Sequence, residues 1–152
     1  MRTLVLFFSS AFGSGYVKYA PGTLGSAVGL LLWVLLIPQN YIFHIFAVAA
    51  IFLISVFLSG AAEKIYAEKD DQRIVIDEVC GIWVSAAFLP KSAAYLTAAF
   101  ILFRLFDITK PLFIKKLQNI KGGLGITIDD VAAGVLANII LQVVNLAVIA
   151  NV

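Results

Sequence analysis

Apolar residues in this chain fall into five blocks separated by short polar breaks. Two blocks, 41–62 and 131–152, are long enough to cross a bilayer as helices. Three shorter ones, at 24–37, 79–89 and 92–106, fit tilted, re-entrant or interfacial helices. Pro38-Gln39-Asn40 and Pro90-Lys91 each read as the turn of a helical hairpin. The predicted fold is all-α, a compact bundle of about five mostly short membrane-embedded helices with polar cytoplasmic loops, in a single domain spanning 1–152.

Composition strengthens the membrane reading. The 152 residues are 62% hydrophobic and only 13% charged, with a mean hydropathy of +1.01. A soluble domain of this size has too little interior for so many apolar side chains. The net charge of +2 and the lack of a basic tract interleaved with aromatics exclude a nucleic-acid partner. One cysteine, Cys80, excludes a disulfide framework and a Cys-rich zinc site, and one histidine, His44, leaves no second imidazole for a triad or a shared metal. His44 and Cys80 are expected to be structural, and Trp33 and Trp83 to pack in the membrane or anchor its interface. The N-terminus, MRTLVLFFSSAFGSG, faintly resembles a signal peptide but lacks an obvious processing site, so it is expected to be retained.

Charge placement orients the bundle. With 24–37 and 41–62 as one hairpin and 79–89 and 92–106 as a second, one side carries Arg2, Lys18, Lys64, Lys69, Arg73, Lys110, Lys115, Lys116 and Lys121, and the other only Lys91. Arg104 lies one turn inside. The positive-inside bias makes the crowded side cytoplasmic. All nine acids then fall on that same side, which the bias does not require. Asp77-Glu78, Asp107 and Asp129-Asp130 sit at the mouths of three different helices.

Acids at helix N-termini have an ordinary explanation in the helix dipole, and both acid pairs begin predicted helices. Doubled carboxylates repel one another unless a cation binds, however, and hard oxygen donors from several helices suit Mg²⁺. Arg104, Asp107 and Lys110 lie close to one helix face, where they form either a solvated ion-pair ladder or a phosphate-binding edge. GSGYVKYAPGTLGS and KGGLGITIDD each lead into a helix and could cradle phosphate, although glycine is also ordinary loop punctuation. The charges from Glu63 to Asp71 read most simply as a solvated helix end.

In combination these segments resemble the phosphatidylglycerophosphatase A family over nearly the whole chain. APGTLGS at 20–26 matches its Gly-Thr-Gly-Ser motif, and Asp70 followed by IVIDEVCG at 74–81 matches its Ile-Val-x-Asp-Glu block. FRLFDITKP at 103–111 and GGLGITIDDVAAG at 122–134 match two further blocks. The chain departs from the family at Leu112-Phe113-Ile114, where a Pro-containing run is usual, and at Thr127, where Met is usual. Neither departure removes a charge, so only the local loop shape is put in question.

The resemblance implies a phosphatase of the bacterial cytoplasmic membrane with its site facing the cytoplasm. Its substrate would be a membrane phospholipid: the terminal phosphate of phosphatidylglycerophosphate is removed in a Mg²⁺-dependent reaction of phospholipid biosynthesis. Asp77, Glu78, Asp129 and Asp130 are the candidate metal ligands or water-activating base. Arg104 and Lys110 would hold phosphate with the Thr23, Gly25 and Ser26 turn, and Asp70 is a possible accessory. Asp107 could ligate metal, act as base or serve as a nucleophile. The signatures of the covalent phosphatase classes are absent, which favours metal-activated water. The rivals are a CDP-alcohol phosphotransferase-like lipid synthase, whose longer acidic motif is missing, a small ion transporter, whose path would need acids on the far side, and a non-catalytic membrane subunit, whose acid pairs would be dispensable. Oligomeric state is not fixed by the sequence.

Overall fold

The computed structural model describes residues 1–111, 114, 117 and 120–151. Leu112, Phe113, Lys115, Lys116 and Val152, used in the reading above, lie outside the described residues. Among the described residues there are six α-helices and no strands: α1 Arg2–Ser9, α2 Pro21–Leu36, α3 Tyr41–Tyr66, α4 Ile76–Ala86, α5 Ala93–Thr109 and α6 Gly123–Ala150. A 3₁₀ turn, Ser14–Tyr16, joins α1 towards α2.

The two longest helices, α3 with 26 residues and α6 with 28, are the two that meet the length and hydropathy of a membrane span. Only 22% of the most apolar window of each is buried, so neither is the enclosed core helix of a soluble protein. Phe46, Leu53 and Phe57 of α3 and Val143, Leu146 and Ile149 of α6 are exposed instead. Both helices are thus compatible with lipid contact.

The core is built around α4, at 11 residues shorter than every helix but α1. Its Val79, Cys80, Ile82, Trp83 and Ala86 are buried, and α2, α3, α5 and α6 all pack against it. Trp83 donates its indole N–H to the Gly29 carbonyl of α2 (2.8 Å) and lies edge-on to Trp33, which is fully buried. Trp33 is therefore a core residue rather than an interface anchor. Because α4 lies between them, α2 and α3 are neighbours through the 37–40 turn but are not each other's main packing partners, unlike the expected hairpin.

A helix of 11 residues, about 16 Å long, ends inside the bundle and must satisfy its last carbonyls there. Asn138 of α6 donates to the carbonyls of Ser85 (3.0 Å) and Ala87 (2.7 Å). The Phe88 N–H donates to His44 Nδ1 (2.9 Å), and Gln39 donates to the Leu89 carbonyl (2.9 Å). Lys91, the lone cation expected on this side, donates to the Trp33, Val34 and Ile37 carbonyls at the end of α2. His44 is structural, as expected.

Two expectations near the acids change. The last helix begins at Gly123, so Asp129 and Asp130 stand nearly two turns inside it and its first turn holds no acid. Their placement cannot be credited to the helix dipole, whereas Asp77 and Glu78 do occupy the first turn of α4. The solvated helix end also ends early. Asp71 is 5% exposed and is clipped by Arg73, whose backbone N–H (2.9 Å) and Nε (2.8 Å) both donate to it. That hydrogen bonding holds Asp71 below the usual carboxylate range. Arg73 in turn lies over the Tyr66 ring, which pins the 67–75 segment to the end of α3.

The α4–α6 crossing depends on two glycines. A Cβ on Gly134 would fall 2.3 Å from the Gly81 carbonyl oxygen, and one on Gly81 would fall 2.4 Å from the Phe103 ring. Gly134→Val should therefore destabilise the fold by about 1–3 kcal/mol through overpacking. A lowered midpoint of thermal unfolding in detergent would show it; an unchanged midpoint would mean that the helices are not this close.

Candidate active site

Asp77 precedes Gly81 by four residues, and Asp130 precedes Gly134 by four, so each acid lies one turn from the close crossing on the same helix face. The crossing brings the two together, with Glu78 beside them. One oxygen from each of Asp77, Glu78 and Asp130 lies within 4.8 Å of the others. Asp77 and Asp130 are 6% and 3% exposed. Asp77 Oδ1, Glu78 Oε2 and Asp130 Oδ2 are buried and have no hydrogen-bond partner among the described residues. Three carboxylates this close cannot all carry charge in a low-dielectric corner without compensation. Clustered hard oxygens with orphaned lone pairs are the donor set of a divalent cation such as Mg²⁺, so the residues present fit that ion.

Facing the acids is a cationic edge. Arg104 Nη1 is 2.6 Å from Asp107 Oδ2 and 4.0 Å from Glu78 Oε1. Lys110 Nζ is 2.6 Å from Asp129 Oδ2 and 3.9 Å from Asp107 Oδ1. The intrahelical ladder thus exists, but it also bridges from α5 to α4 and α6. Asp129 is joined to Lys110 rather than to the close acid trio, although its Oδ1 remains without a partner among the described residues. Burial alone lowers the Lys110 pKa, yet the hydrogen bond to Asp129 and the neighbouring carboxylates outweigh it and raise the pKa overall.

These groups line a cavity of about 380 Å³ together with Lys18, Asp70, Asp107 and the start of α2. Six carboxylates face three cations there. A phosphate dianion would meet net repulsion in such a cavity unless a bound metal reversed the local field. Asp70, though solvent-exposed as a residue, has its carboxyl pushed up first by desolvation and then by the charge of Asp129.

The predicted phosphate turn is only partly brought to this place. Ser26 lies next to Arg104, whose Nη1 donates to its Oγ (3.4 Å), while that Oγ donates to the Gly22 carbonyl (2.8 Å). Gly25 packs against Val75, where a Cβ would come within 2.7 Å. Thr23 does not line the cavity, whereas Ala20, Pro21 and Gly22 do. Gly22 is the residue that the sequence reading missed: a Cβ there would sit 2.2 Å from Glu78 Oε1 and 3.2 Å from Arg104 Nη1. Its signal was Pro21, which marks the first turn of α2.

Backbone strain also occurs at this rim, at three of the seven non-glycine positions with positive φ among the described residues. Ala20, Asp70 and Lys110 all line the cavity and all adopt left-handed backbone angles, with φ of 49°, 55° and 39°. Each costs roughly 1 kcal/mol for a residue with a Cβ. Such residues persist where surrounding structure over-determines them, and they gather at functional sites. At Lys110 the reversal ends α5 and aims the ammonium group inward, while Pro111 prevents the helix from continuing.

A sequence model of the family Phosphatidylglycerophosphatase A matches residues 7–145. "Phosphatidylglycerophosphatase A" of Haemophilus influenzae is 41% identical over 137 residues, covering 86% of this chain and 82% of the relative. Its namesake in Escherichia coli is 34% identical over 128 residues, covering 83% and 74%. A Bacteroides thetaiotaomicron protein named "Putative phosphatidylinositol-3-phosphatase" is 36% identical over 149 residues, covering 92% of both chains. No solved structure matches the chain with significance. The family match runs from α1 to α6 and includes every residue of the acid trio and the cationic edge, and the chain belongs to the phosphatidylglycerophosphatase A family.

Proposed function

We propose that the chain is a membrane-embedded, Mg²⁺-dependent phosphatidylglycerophosphatase. It hydrolyses the terminal phosphomonoester of phosphatidylglycerophosphate to phosphatidylglycerol and inorganic phosphate, in phospholipid biosynthesis. The observation that carries the reading is the convergence of three orphaned carboxylate oxygens beside Arg104 and Lys110 in one cavity. Family membership supplies the substrate class.

Asp77, Glu78 and Asp130 would hold the metal. When bound, Mg²⁺ supplies a water of lowered pKa and neutralises charge on phosphoryl oxygens. Arg104 binds phosphate while Asp107 fixes its position; its Nε has no partner among the described residues and is a donor in reserve. Lys110, steered by Asp129, adds a second positive charge where negative charge builds up on the transferring group. Asp107 is bracketed by both cations. It therefore acts as a positioning residue, which favours direct attack by water over an aspartyl-phosphate. Asp70 stands at the rim as an accessory group.

The cavity would open to the cytoplasm from the bacterial inner membrane. Lys18 and Lys110 line it, and Lys91 lies at the far end of α2, which supports that orientation. The name of the Bacteroides relative favours a second reading, in which the headgroup is an inositol phosphate. The same monoester chemistry would serve it.

Phosphate release from phosphatidylglycerophosphate in detergent should require Mg²⁺ and stop with EDTA. Asp130→Asn should lower it by at least about 100-fold, the upper end of what losing even an outer-shell partner of a metal costs. Faster turnover of phosphatidylinositol 3-phosphate by the wild type would select the second reading, and release unaffected by EDTA would remove the metal. For orientation, a membrane-impermeant maleimide should label Lys121→Cys only from the cytoplasmic face and Ala94→Cys only from the opposite face. The reverse pattern would turn the cavity outward.

A further inference from the structure

Among the described residues, two apolar grooves lie near the candidate site. The larger, about 560 Å³, lies between α1, α3 and α4 and is lined on α4 by Ile76, Val79 and Trp83. That stripe faces away from Asp77 and Glu78. The smaller, about 450 Å³, is the seam between α2 and α5. Its helices are the two that carry the phosphate-facing edge.

The register of the seam is what matters. On α5, Thr97 and Phe100 line the seam, and the same face continues at spacings of four and three to Arg104 and Asp107 in the cavity. On α2, Ala27, Leu31 and Val34 line the seam, and the stripe runs back through Thr23 to Ala20 at the cavity rim. The Arg104–Ser26 hydrogen bond (3.4 Å) crosses between the helices where the polar part gives way to the apolar part. From Ala27 to Val34 the apolar part covers about 10 Å of helix axis. Ala27 and Thr97 are exposed and short, and they leave the seam open between the larger side chains of Leu31, Val34 and Phe100.

We infer that the α2–α5 seam holds one acyl chain of the lipid whose phosphate enters the cavity. The inference rests on the reading of the chain as a lipid phosphomonoesterase. An amphiphile with a phosphate at one end and hydrocarbon at the other needs a polar cavity and an apolar groove in line, and the seam supplies that line where the larger groove does not. Occupancy removes apolar surface from contact with other lipids or detergent and fixes the headgroup relative to Arg104.

The test compares phosphatidylglycerophosphate carrying two oleoyl chains with the same headgroup carrying two hexanoyl chains. Ala27→Trp and Thr97→Trp fill the seam without touching the buried core, and Leu53→Trp fills the larger groove as a control. The seam variants should lower kcat/KM for the dioleoyl substrate by about fivefold or more relative to the dihexanoyl one, as displacement of one or two seated methylenes would. Leu53→Trp should leave the ratio unchanged. An unchanged ratio in both seam variants, or a shift only in Leu53→Trp, overturns the inference. Should a Trp variant also lose dihexanoyl turnover, Ala27→Leu and Thr97→Val decide by the same ratio. Wild type that releases phosphate from neither substrate would overturn the phosphatase reading itself, a result distinct from these.

Discussion

Mutual repulsion among Asp77, Glu78 and Asp130 is the force that this bundle has to contain. The three are drawn within 4.8 Å in a corner shielded from solvent, where like charges interact far more strongly than in water. Nothing about local helix propensity asks for that arrangement. It follows from the glycine-lined crossing of α4 and α6, which lets two backbones approach until the acid one turn before each glycine meets its counterpart. The positive edge of Arg104 and Lys110 offsets part of the repulsion, and Asp107 and Asp129 hold that edge in place. A divalent cation would offset the remainder, so the chemistry proposed for the site and the stability of its empty scaffold are opposed.

The rest of the fold makes that crossing possible. A short central helix allows the acids to lie at a mouth rather than in mid-bundle, but it leaves a helix end with no water around it. Asn138, His44 and Gln39 supply the missing partners from three other segments. Asn138 and His44 lie inside apolar blocks and Gln39 in the turn between two, and each hydrogen-bonds backbone rather than another side chain. The polar residues at the two ends of α4 therefore form two groups. One group closes the backbone at the far end, and the other stays incompletely paired at the near end, where a ligand can complete it.

Much of this was legible in the sequence, for a physical reason. Long apolar blocks leave few options, and charges excluded from them mark one end of every helix, so the five main helices and the convergence of the acids could be read directly. The family motifs then located the acid pairs. What could not be read were contacts fixed by helix rotation and by distant segments. Whether Gly22, Gly25 or Thr23 meets the cavity depends on about 100° of rotation per residue, and only packing against Val75 settles it. The glycine-rich run before Asp129 looks like a loop, yet it is helical from Gly123, where glycine is required because a Cβ would come within 1.9 Å of the Val56 carbonyl oxygen. Asp71 looked solvated because its partner, Arg73, folds back only once the 67–75 segment is pinned. The pairing of Asp129 with Lys110 likewise spans two separate motifs.

The shortness of α4 also bears on biogenesis. In a bilayer, 11 residues cannot span the hydrocarbon, and two carboxylates at one end make even partial insertion unfavourable for that segment alone. Long helices such as α3 and α6 can settle in lipid independently; α4 has a stable place only after its neighbours enclose it. Insertion and assembly are then separate stages, and the carboxylate cluster comes into being at the second. A chain stalled between the two would be an intermediate with Asp77, Glu78 and Asp130 dispersed, its cavity unformed until the last helix is seated.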